Sequence, residues 1–230
     1  MEFFEILYGS IILIFSFDPA LYEIIFLSIK TSGLATVISS IFAIITAFFL
    51  VIYKSLLTKN LTLLIHSLSG IPPVVVGLIV YFIFSQEGPL GILSIIYTPK
   101  AIVIAQIIIV YPIISSLLRE LFDEFWFQFN DSFRSLNITS FGIIYTFLKN
   151  NYKFILTIIL IGFGRAVSEI GAVMIVGGNI EYYTRVMTTA ISLETRMGNL
   201  EKALSLGIIL ILVTSIINGL LFKIKKNNKN

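Results

Sequence analysis

The sequence predicts an all-α fold, a polytopic bundle of five to six transmembrane helices that forms a single domain over residues 1–230. Two observations support this prediction. Hydrophobic residues make up 57% of the chain and charged residues only 13%, whereas a soluble globular domain carries about 25% charged residues. The apolar residues also occur in long uncharged runs rather than in amphipathic stripes, which is typical of membrane-spanning helices.

Four uncharged runs are long enough to cross a bilayer, because a spanning helix needs about 20 residues. They cover residues 31–53, 60–86, 101–118 and 203–222. A fifth run, residues 152–176, is also long enough but is interrupted by Arg165 and Glu169. A sixth candidate, residues 6–17, is short, so it either crosses with the help of neighbouring helices or lies at the interface.

Proline and glycine mark breaks within and between these runs. Pro72 and Pro73 should kink the second span or mark its entry, since proline removes a backbone donor and disfavours helix before itself. Residues 88–91, Gly-Pro-Leu-Gly, predict an external turn. Residues 177–179, Gly-Gly-Asn, should end the fifth helix at the outer surface.

Lys and Arg are distributed unequally between alternate connections. Ten lie on the side of the 119–153 connection and the C-terminal tail, and five on the side of the 87–100 and 177–202 connections. By the positive-inside rule, the side with ten is cytoplasmic. The C-terminus is therefore expected in the cytoplasm, and the N-terminus as well if the first run crosses.

Several classes of chemistry are excluded or disfavoured. The chain has no cysteine and one histidine, His66, which argues against thiol catalysis and against Cys- or His-ligated metal sites. No phosphate-binding loop and no nucleophile–base set is present, and the basic residues are scattered, so no nucleic-acid surface is predicted. We expect neither an enzyme nor a cofactor site.

The predicted cytoplasmic connection at residues 119–153 is too long for a simple link between helices. Within it, Asn130 or Asp131 can cap a short helix over residues 132–136, and Asn137 can stop it in the left-handed conformation. Phe133 and Leu136, three residues apart, would then share a face that either enters a groove on a soluble partner or rests on lipid. The candidate docking residues are Asp131, Ser132, Phe133, Arg134, Leu136 and Asn137.

The two charges inside the fifth run are the most informative feature. Arg165 and Glu169 are four residues apart and would stack on one helix face, and each costs about 2.5–3.5 kcal/mol at the bilayer centre, so both must face protein or water. They form either an internal ion pair that orients the helix or a lining of a pathway, in which Arg165 attracts a passing anion and Glu169 weakens its binding. The candidate pathway residues are Arg165, Ser168, Glu169, Gly171 and the hydroxyls of Thr188 and Thr189.

These segments resemble a known family. Residues 163–180, FGRAVSEIGAVMIVGGNI, are very similar to the permeases of tungstate ABC importers, within the molybdate, tungstate and sulfate branch, and so are residues 183–195, 70–78, 88–91 and 18–19. Residues 131–137 resemble the coupling-helix motif of these permeases, with Asp131 in place of its Glu and Asn137 in place of its Gly. The later Pro of that motif is absent, since Asn150 stands in its place.

The resemblance implies a molybdate-permease-like fold, a prokaryotic inner-membrane location and a homodimer with the pathway at the dimer interface. It also implies two copies of a cytoplasmic ABC ATPase, which would drive alternating access, and an extracytoplasmic oxyanion-binding protein. Tungstate is the expected substrate, with molybdate and sulfate as alternatives. Two other hypotheses stay open: a structural membrane subunit, and a secondary transporter in which Glu169 carries a proton.

Overall fold

The computed structural model describes residues 2–53 and 55–226, and these residues form nine α-helices and no strand. The helices are α1 (Glu2–Phe15), α2 (Pro19–Ile52), α3 (Leu56–Ser69), α4 (Pro73–Phe84), α5 (Pro99–Ser135), α6 (Ser140–Val167), α7 (Gly171–Gly177), α8 (Met187–Met197) and α9 (Leu200–Lys226). The all-α prediction is confirmed. Lys54 and residues 227–230, which contribute to the predicted charge bias, lie outside the described part.

Local sequence signals account for where several helices begin. Asp18 caps α2, accepting a hydrogen bond from the Ala20 amide at 3.2 Å, and a proline follows at the first helical position. Ser55 and Thr58 form a reciprocal capping box at the start of α3. Thr139 caps α6 through the Gly142 amide at 3.2 Å.

Helices α2 and α5 form the centre of the bundle, and the other helices pack around them. One buried cluster joins α2, α5 and α6, and includes Ala47, Ile114 and Ile158. A second joins α4, α5 and α7, and a third joins α2, α8 and α9. Small residues such as Ala43 and Ala47 on α2 allow the close backbone approach that substitutes for a hydrophobic driving force in membrane helices.

By length and composition, α2, α5 and residues 200–220 of α9 are continuous candidate spans. Two further candidates are bent pairs: α3 and α4 meet at 106°, and α6 and α7 at 58°. The first bend lies at Gly70–Pro72, which confirms the predicted effect of the prolines. The uncharged run over residues 60–86 therefore consists of parts of two helices, because Pro72 and Pro73 have no amide with which to continue the hydrogen bonds of α3.

The connection at residues 119–153 is not an irregular loop, which corrects the prediction from its length. Residues 119–135 continue α5, and residues 140–153 already belong to α6, so only residues 136–139 link the two helices. Seventeen residues of helix beyond Leu118 correspond to about 25 Å. The two helices are joined by an aromatic cluster in which Phe122 packs edge-on against Phe147 with ring centroids 4.5 Å apart. We call this unit the α5–α6 hairpin.

The predicted external connection at residues 177–202 also contains a helix, α8. Gly178 ends α7 with φ 68°, which confirms the predicted helix stop. Residues 85–90 form turns and residues 91–93 a short 3-10 helix, in agreement with the turn predicted from Gly-Pro-Leu-Gly.

Candidate functional site at a broken helix

The break between α6 and α7 covers residues 168–170. Helix α6 ends at Val167, and the Ser168 hydroxyl donates back to the Gly164 carbonyl, while the Glu169 amide donates to the Ala166 carbonyl at 3.2 Å. Glycine and serine weaken a helix, because glycine adds backbone freedom and serine competes for backbone hydrogen bonds. The predicted single helix over residues 152–176 is therefore two helices, and Glu169 lies between them.

Arg165 and Glu169 form an ion pair across this break. The Arg165 Nη1 atom lies 2.7 Å from the Glu169 Oε2 atom. The Glu169 side chain is 4% exposed and the Arg165 side chain 37% exposed, so the pair has a buried anionic end and an accessible cationic end. Because a guanidinium carries five N–H donors, Arg165 keeps donors that can reach a ligand on its exposed side.

Glu169 is held by groups from two other helices. Its Oε1 atom accepts a hydrogen bond from the Ala172 amide at 3.3 Å, in the first turn of α7, and its backbone carbonyl accepts one from the Thr188 hydroxyl at 2.8 Å. The carboxylate therefore compensates a free amide of α7 as well as Arg165. Thr188 ties the break to the start of α8.

Gln106 on α5 fixes the other end of the break, and the sequence analysis missed it. Its Nε2 atom donates to the Ala166 carbonyl at 3.0 Å and to the Ser32 hydroxyl at 3.1 Å. Gln106 is 2% exposed, and its Oε1 atom has no partner among the described residues. The available signal was an amide side chain in the uncharged run 101–118, since a polar group in a membrane span must find a partner.

Two of the predicted pathway hydroxyls are not on a surface, which corrects the prediction. Thr189 is fully buried: its hydroxyl donates to the Val186 carbonyl and accepts from the Val186 amide. Thr188 is 7% exposed and donates to Glu169. The Thr189 hydroxyl thus binds the backbone just before α8, and the Thr188 hydroxyl binds the backbone of the break. In this conformation neither one offers a free donor to an anion.

The other predicted pathway residues do lie at the break. Ser168 is exposed beside Arg165. Gly171 lies where α7 meets α4, since a β-carbon there would approach the Val74 side chain to 2.7 Å. On α4, a β-carbon on Gly77 would stand 2.7 Å from the Ala172 Cα atom. The short helix α7 is therefore held against α4 by close backbone packing.

The candidate docking residues lie at the tip of the α5–α6 hairpin. Asp131, Ser132, Phe133 and Arg134 belong to the last turns of α5 and do not start a separate helix, because α5 continues without a break to Ser135. Phe133 is half-buried among Phe125, Trp126 and Phe129 of α5, whereas Leu136 is 70% exposed. The predicted shared knob of Phe133 and Leu136 is therefore wrong.

The prediction of a left-handed stop at Asn137 is confirmed, with φ 50°. The Ile138 amide donates to the Phe133 carbonyl at 3.0 Å, and the Asn137 amide to the Arg134 carbonyl at 3.2 Å. These two bonds form the Schellman arrangement that usually ends a helix with glycine. Asparagine tolerates this conformation better than other residues with a side chain.

A separate charge cluster lies around α8. The Glu194 carboxylate is buried and contacts the Lys202 Nζ atom at 2.9 Å and the Asn199 Nδ2 atom at 2.8 Å. Burial alone raises the pKa of the Glu194 carboxyl, but the hydrogen bonds from Asn199 and Lys202 and the nearby charges of Lys202 and Arg185 outweigh burial and hold the pKa below its ordinary value. The cluster joins α8 to α9.

Broken membrane helices and an ion pair within a span, as at the α6–α7 break, are features that recur in membrane transport proteins. Comparison with known proteins agrees with this class and narrows it. The chain belongs to the family of ABC-type anion permeases that includes the tungstate uptake system permease TupB.

Similarity to three relatives supports this family assignment. The chain is 35% identical to the tungstate uptake system permease protein TupB of Peptoclostridium acidaminophilum, over 93% of this chain and 94% of the relative. It is 30% identical to the TupB protein of Campylobacter jejuni, over 94% and 91%. It is 36% identical to a probable anion ABC transporter permease protein of Haloferax volcanii, over 69% and 71%. No family model matches the chain.

Proposed function

We propose that this chain is the permease subunit of an ABC importer for tungstate and that it works as a homodimer in the prokaryotic cell membrane, with the anion pathway next to the α6–α7 break. The observation that supports this most directly is the 35% identity over 93% of the chain to a tungstate uptake permease. The Arg165–Glu169 pair supports an anionic substrate, because its accessible end is the cationic one.

The charges of the pair should allow an anion to bind weakly and be released again, rather than be held tightly. A free arginine in a low-dielectric site would hold a divalent oxyanion tightly, since charge-assisted hydrogen bonds are strong and frequently bidentate. The Glu169 carboxylate at 2.7 Å compensates the guanidinium charge. Arg165 then offers an oxyanion a directional but weak contact, as conduction requires.

The partners follow from the same proposal. A cytoplasmic ABC ATPase, in two copies for a homodimer, binds the tip of the α5–α6 hairpin, where Leu136 is exposed beside the Asn137 stop. An extracytoplasmic binding protein delivers the oxyanion on the side of α8. Closure of the ATPases on ATP moves the hairpins and switches the pathway from inward to outward facing. We expect no cofactor in the permease itself.

Molybdate and sulfate are the alternative substrates, since both are tetrahedral oxyanions that the same donors can contact. Selection among them is expected to rest mainly with the external binding protein. A structural membrane subunit is the alternative from another class. In that case the ion pair serves only to lock α6 against α7.

The first test is the tungsten, molybdenum and sulfate uptake of cells with and without this gene, supplied with equal trace amounts of tungstate and molybdate. Elemental mass spectrometry should show loss of tungsten alone. Loss of molybdenum would change the substrate assignment but keep the importer. Unchanged uptake of all three anions would contradict the proposal and favour the structural role.

The second test examines the pathway role of the pair in proteoliposomes that contain the complete complex. The double variant Arg165→Gln/Glu169→Gln removes both charges but leaves polar side chains of similar size. Tungstate uptake should fall at least tenfold in a normally assembled complex. Glu181→Gln, which removes the carboxylate of another i,i+4 pair with Arg185, is the matched control and should transport normally. Wild-type uptake by the double variant would rule out the pathway role.

A further inference from the structure

Helix α1 packs against the beginning of α9 through its small residues. The Ser10 hydroxyl donates to the Glu201 carbonyl at 2.9 Å, and the Ser205 hydroxyl donates to the Ser10 carbonyl at 3.0 Å. At Gly9, a β-carbon would stand 2.6 Å from the Glu201 side chain. The two helices therefore meet closely in the middle of α1 and in the first two turns of α9.

The length of α1 then limits how far it reaches along α9. Its most distant residue from Ser10 is Glu2, eight positions away, which corresponds to about 12 Å of helix. Along α9, Lys223 lies about 30 Å from the Ser10 contact, which is centred near residue 203. Neither end of α1 can therefore come near the far end of α9. If α9 spans the membrane, α1 stays on the side where α9 begins.

The face of α1 turned away from α9 is apolar and has no protein partner among the described residues. Phe4, Tyr8, Ile11 and Phe15 recur at intervals of four, three and four residues, so they share one face, and they are 74%, 69%, 43% and 72% exposed. A helix that is apolar on both its packed and its open face needs an apolar environment.

The surroundings of α1 indicate which environment this is. Further along α9, Ile211, Leu212 and Ile216 are 65%, 54% and 63% exposed. They lie within a candidate membrane span, where an exposed apolar surface is suited to contact with lipid. The first turns of α9, on which the opposite face of α1 packs, are the outer end of this span by the charge bias of the connections. Aromatic side chains such as Phe4, Tyr8 and Phe15 are those that concentrate at membrane–water interfaces.

We propose that α1 is an interfacial anchor that lies in the outer leaflet of the membrane and does not cross it. The protein then has five spans, and the amino end of α1 lies on the side of α8, opposite the C-terminal end of α9. This differs from the N-terminal location expected if the first run crossed. The inference depends on packing, on length and on the sidedness predicted from the charge bias, and it is independent of the transported anion.

Side-specific labelling tests the topology with little background, because the chain contains no cysteine. Glu5→Cys, at an exposed position of α1, is treated in intact cells with a membrane-impermeant maleimide. Arg196→Cys on α8 and Ser135→Cys at the hairpin tip are the controls for the two sides. We expect Glu5→Cys to label at the rate of Arg196→Cys. Labelling only after permeabilisation, like Ser135→Cys, would overturn the proposal.

A fluorescence experiment tests the lipid contact. In a Trp126→Phe background, which removes the single tryptophan, Phe4→Trp is compared with Leu212→Trp in vesicles of lipids brominated either near the headgroup or near the chain ends. We expect the fluorescence of Phe4→Trp to be quenched severalfold more by bromines near the headgroup than by bromines near the chain ends. Bromines near the chain ends should quench Leu212→Trp more than they quench Phe4→Trp. Absence of quenching at Phe4→Trp would show that protein, such as a second copy of the chain, covers this face, and would refute the lipid anchor.

Discussion

The Arg165–Glu169 pair should contribute to stability asymmetrically, because its two ends differ in exposure. Arg165→Ala leaves the Glu169 carboxylate, 4% exposed, with the Ala172 amide but without a cation. Breaking a buried pair in this way costs about 3–5 kcal/mol, and we expect about 3 kcal/mol because the cationic end of the site is open. Glu169→Gln leaves an arginine that is 37% exposed and can be hydrated, so we expect about 1.5 kcal/mol.

The double variant Arg165→Ala/Glu169→Gln should cost less than the two single changes together. It removes the pair without leaving an unpaired buried charge, and we expect a loss of about 2 kcal/mol. The coupling energy between the two positions is then about 2.5 kcal/mol, within the range for residues in direct contact.

The assay is the free energy of unfolding of the four proteins in mixed micelles, followed by circular dichroism during SDS titration. The pair Arg119–Asp123, with nitrogen and oxygen 3.5 Å apart and both side chains partly exposed, provides a control cycle in which coupling should be below about 1 kcal/mol. The reasoning would be refuted if the two single variants lost equal amounts of unfolding free energy, or if the loss in the double variant equalled their sum. Either result would show that the buried Glu169 carboxylate does not depend on Arg165 for its stability.

Two further predictions concern the supports of the bundle. Gln106→Leu removes the hydrogen bonds that Gln106 donates to the Ser32 hydroxyl and to the Ala166 carbonyl, and leaves that carbonyl with backbone donors of the break such as the Glu169 amide. Amide hydrogen exchange at residues 167–170 should therefore accelerate severalfold, whereas unchanged exchange would show that Gln106 does not hold the break. Glu194 has a folded-state pKa below its ordinary value of 4.5, so its stabilisation is complete above that value and is lost as the pH falls through the lower folded pKa. Glu194→Gln should therefore flatten the pH dependence of unfolding between about pH 5 and pH 3, and parallel curves for variant and wild type would contradict this.

The sequence predicted the features that arise from composition and from local backbone chemistry. Long uncharged runs identify membrane helices because the bilayer demands about 20 apolar residues. The bend at Pro72 and Pro73 follows from a missing backbone donor, and the left-handed Asn137 follows from its tolerance of that conformation. The contact between Arg165 and Glu169 was also predictable, since opposite charges within a membrane span are stabilised by pairing.

The remaining features depend on contacts between distant parts of the chain. Hydropathy does not register the break at residues 168–170, because apart from Arg165 the neighbouring residues on both sides are apolar or glycine. The role of Gln106 depends on a carbonyl 60 positions away, and Thr188 reaches a carbonyl 19 positions away. Hydroxyls that look free in a polar segment are thus committed to backbone groups that only the tertiary structure brings near.

The continuity of α5 has a mechanical consequence. From Gln106, beside the break, to Ser135 at the hairpin tip the helix runs for 29 residues, or about 44 Å. Aromatic packing such as that of Phe122 on Phe147 stiffens the outer part of this arm, while Pro112 leaves one point within it where a backbone hydrogen bond is missing. A sideways displacement of a few ångströms at the tip corresponds to a tilt of only about 5° over such an arm. A displacement of a few ångströms at the hairpin tip would thus become a much smaller displacement beside the ion pair.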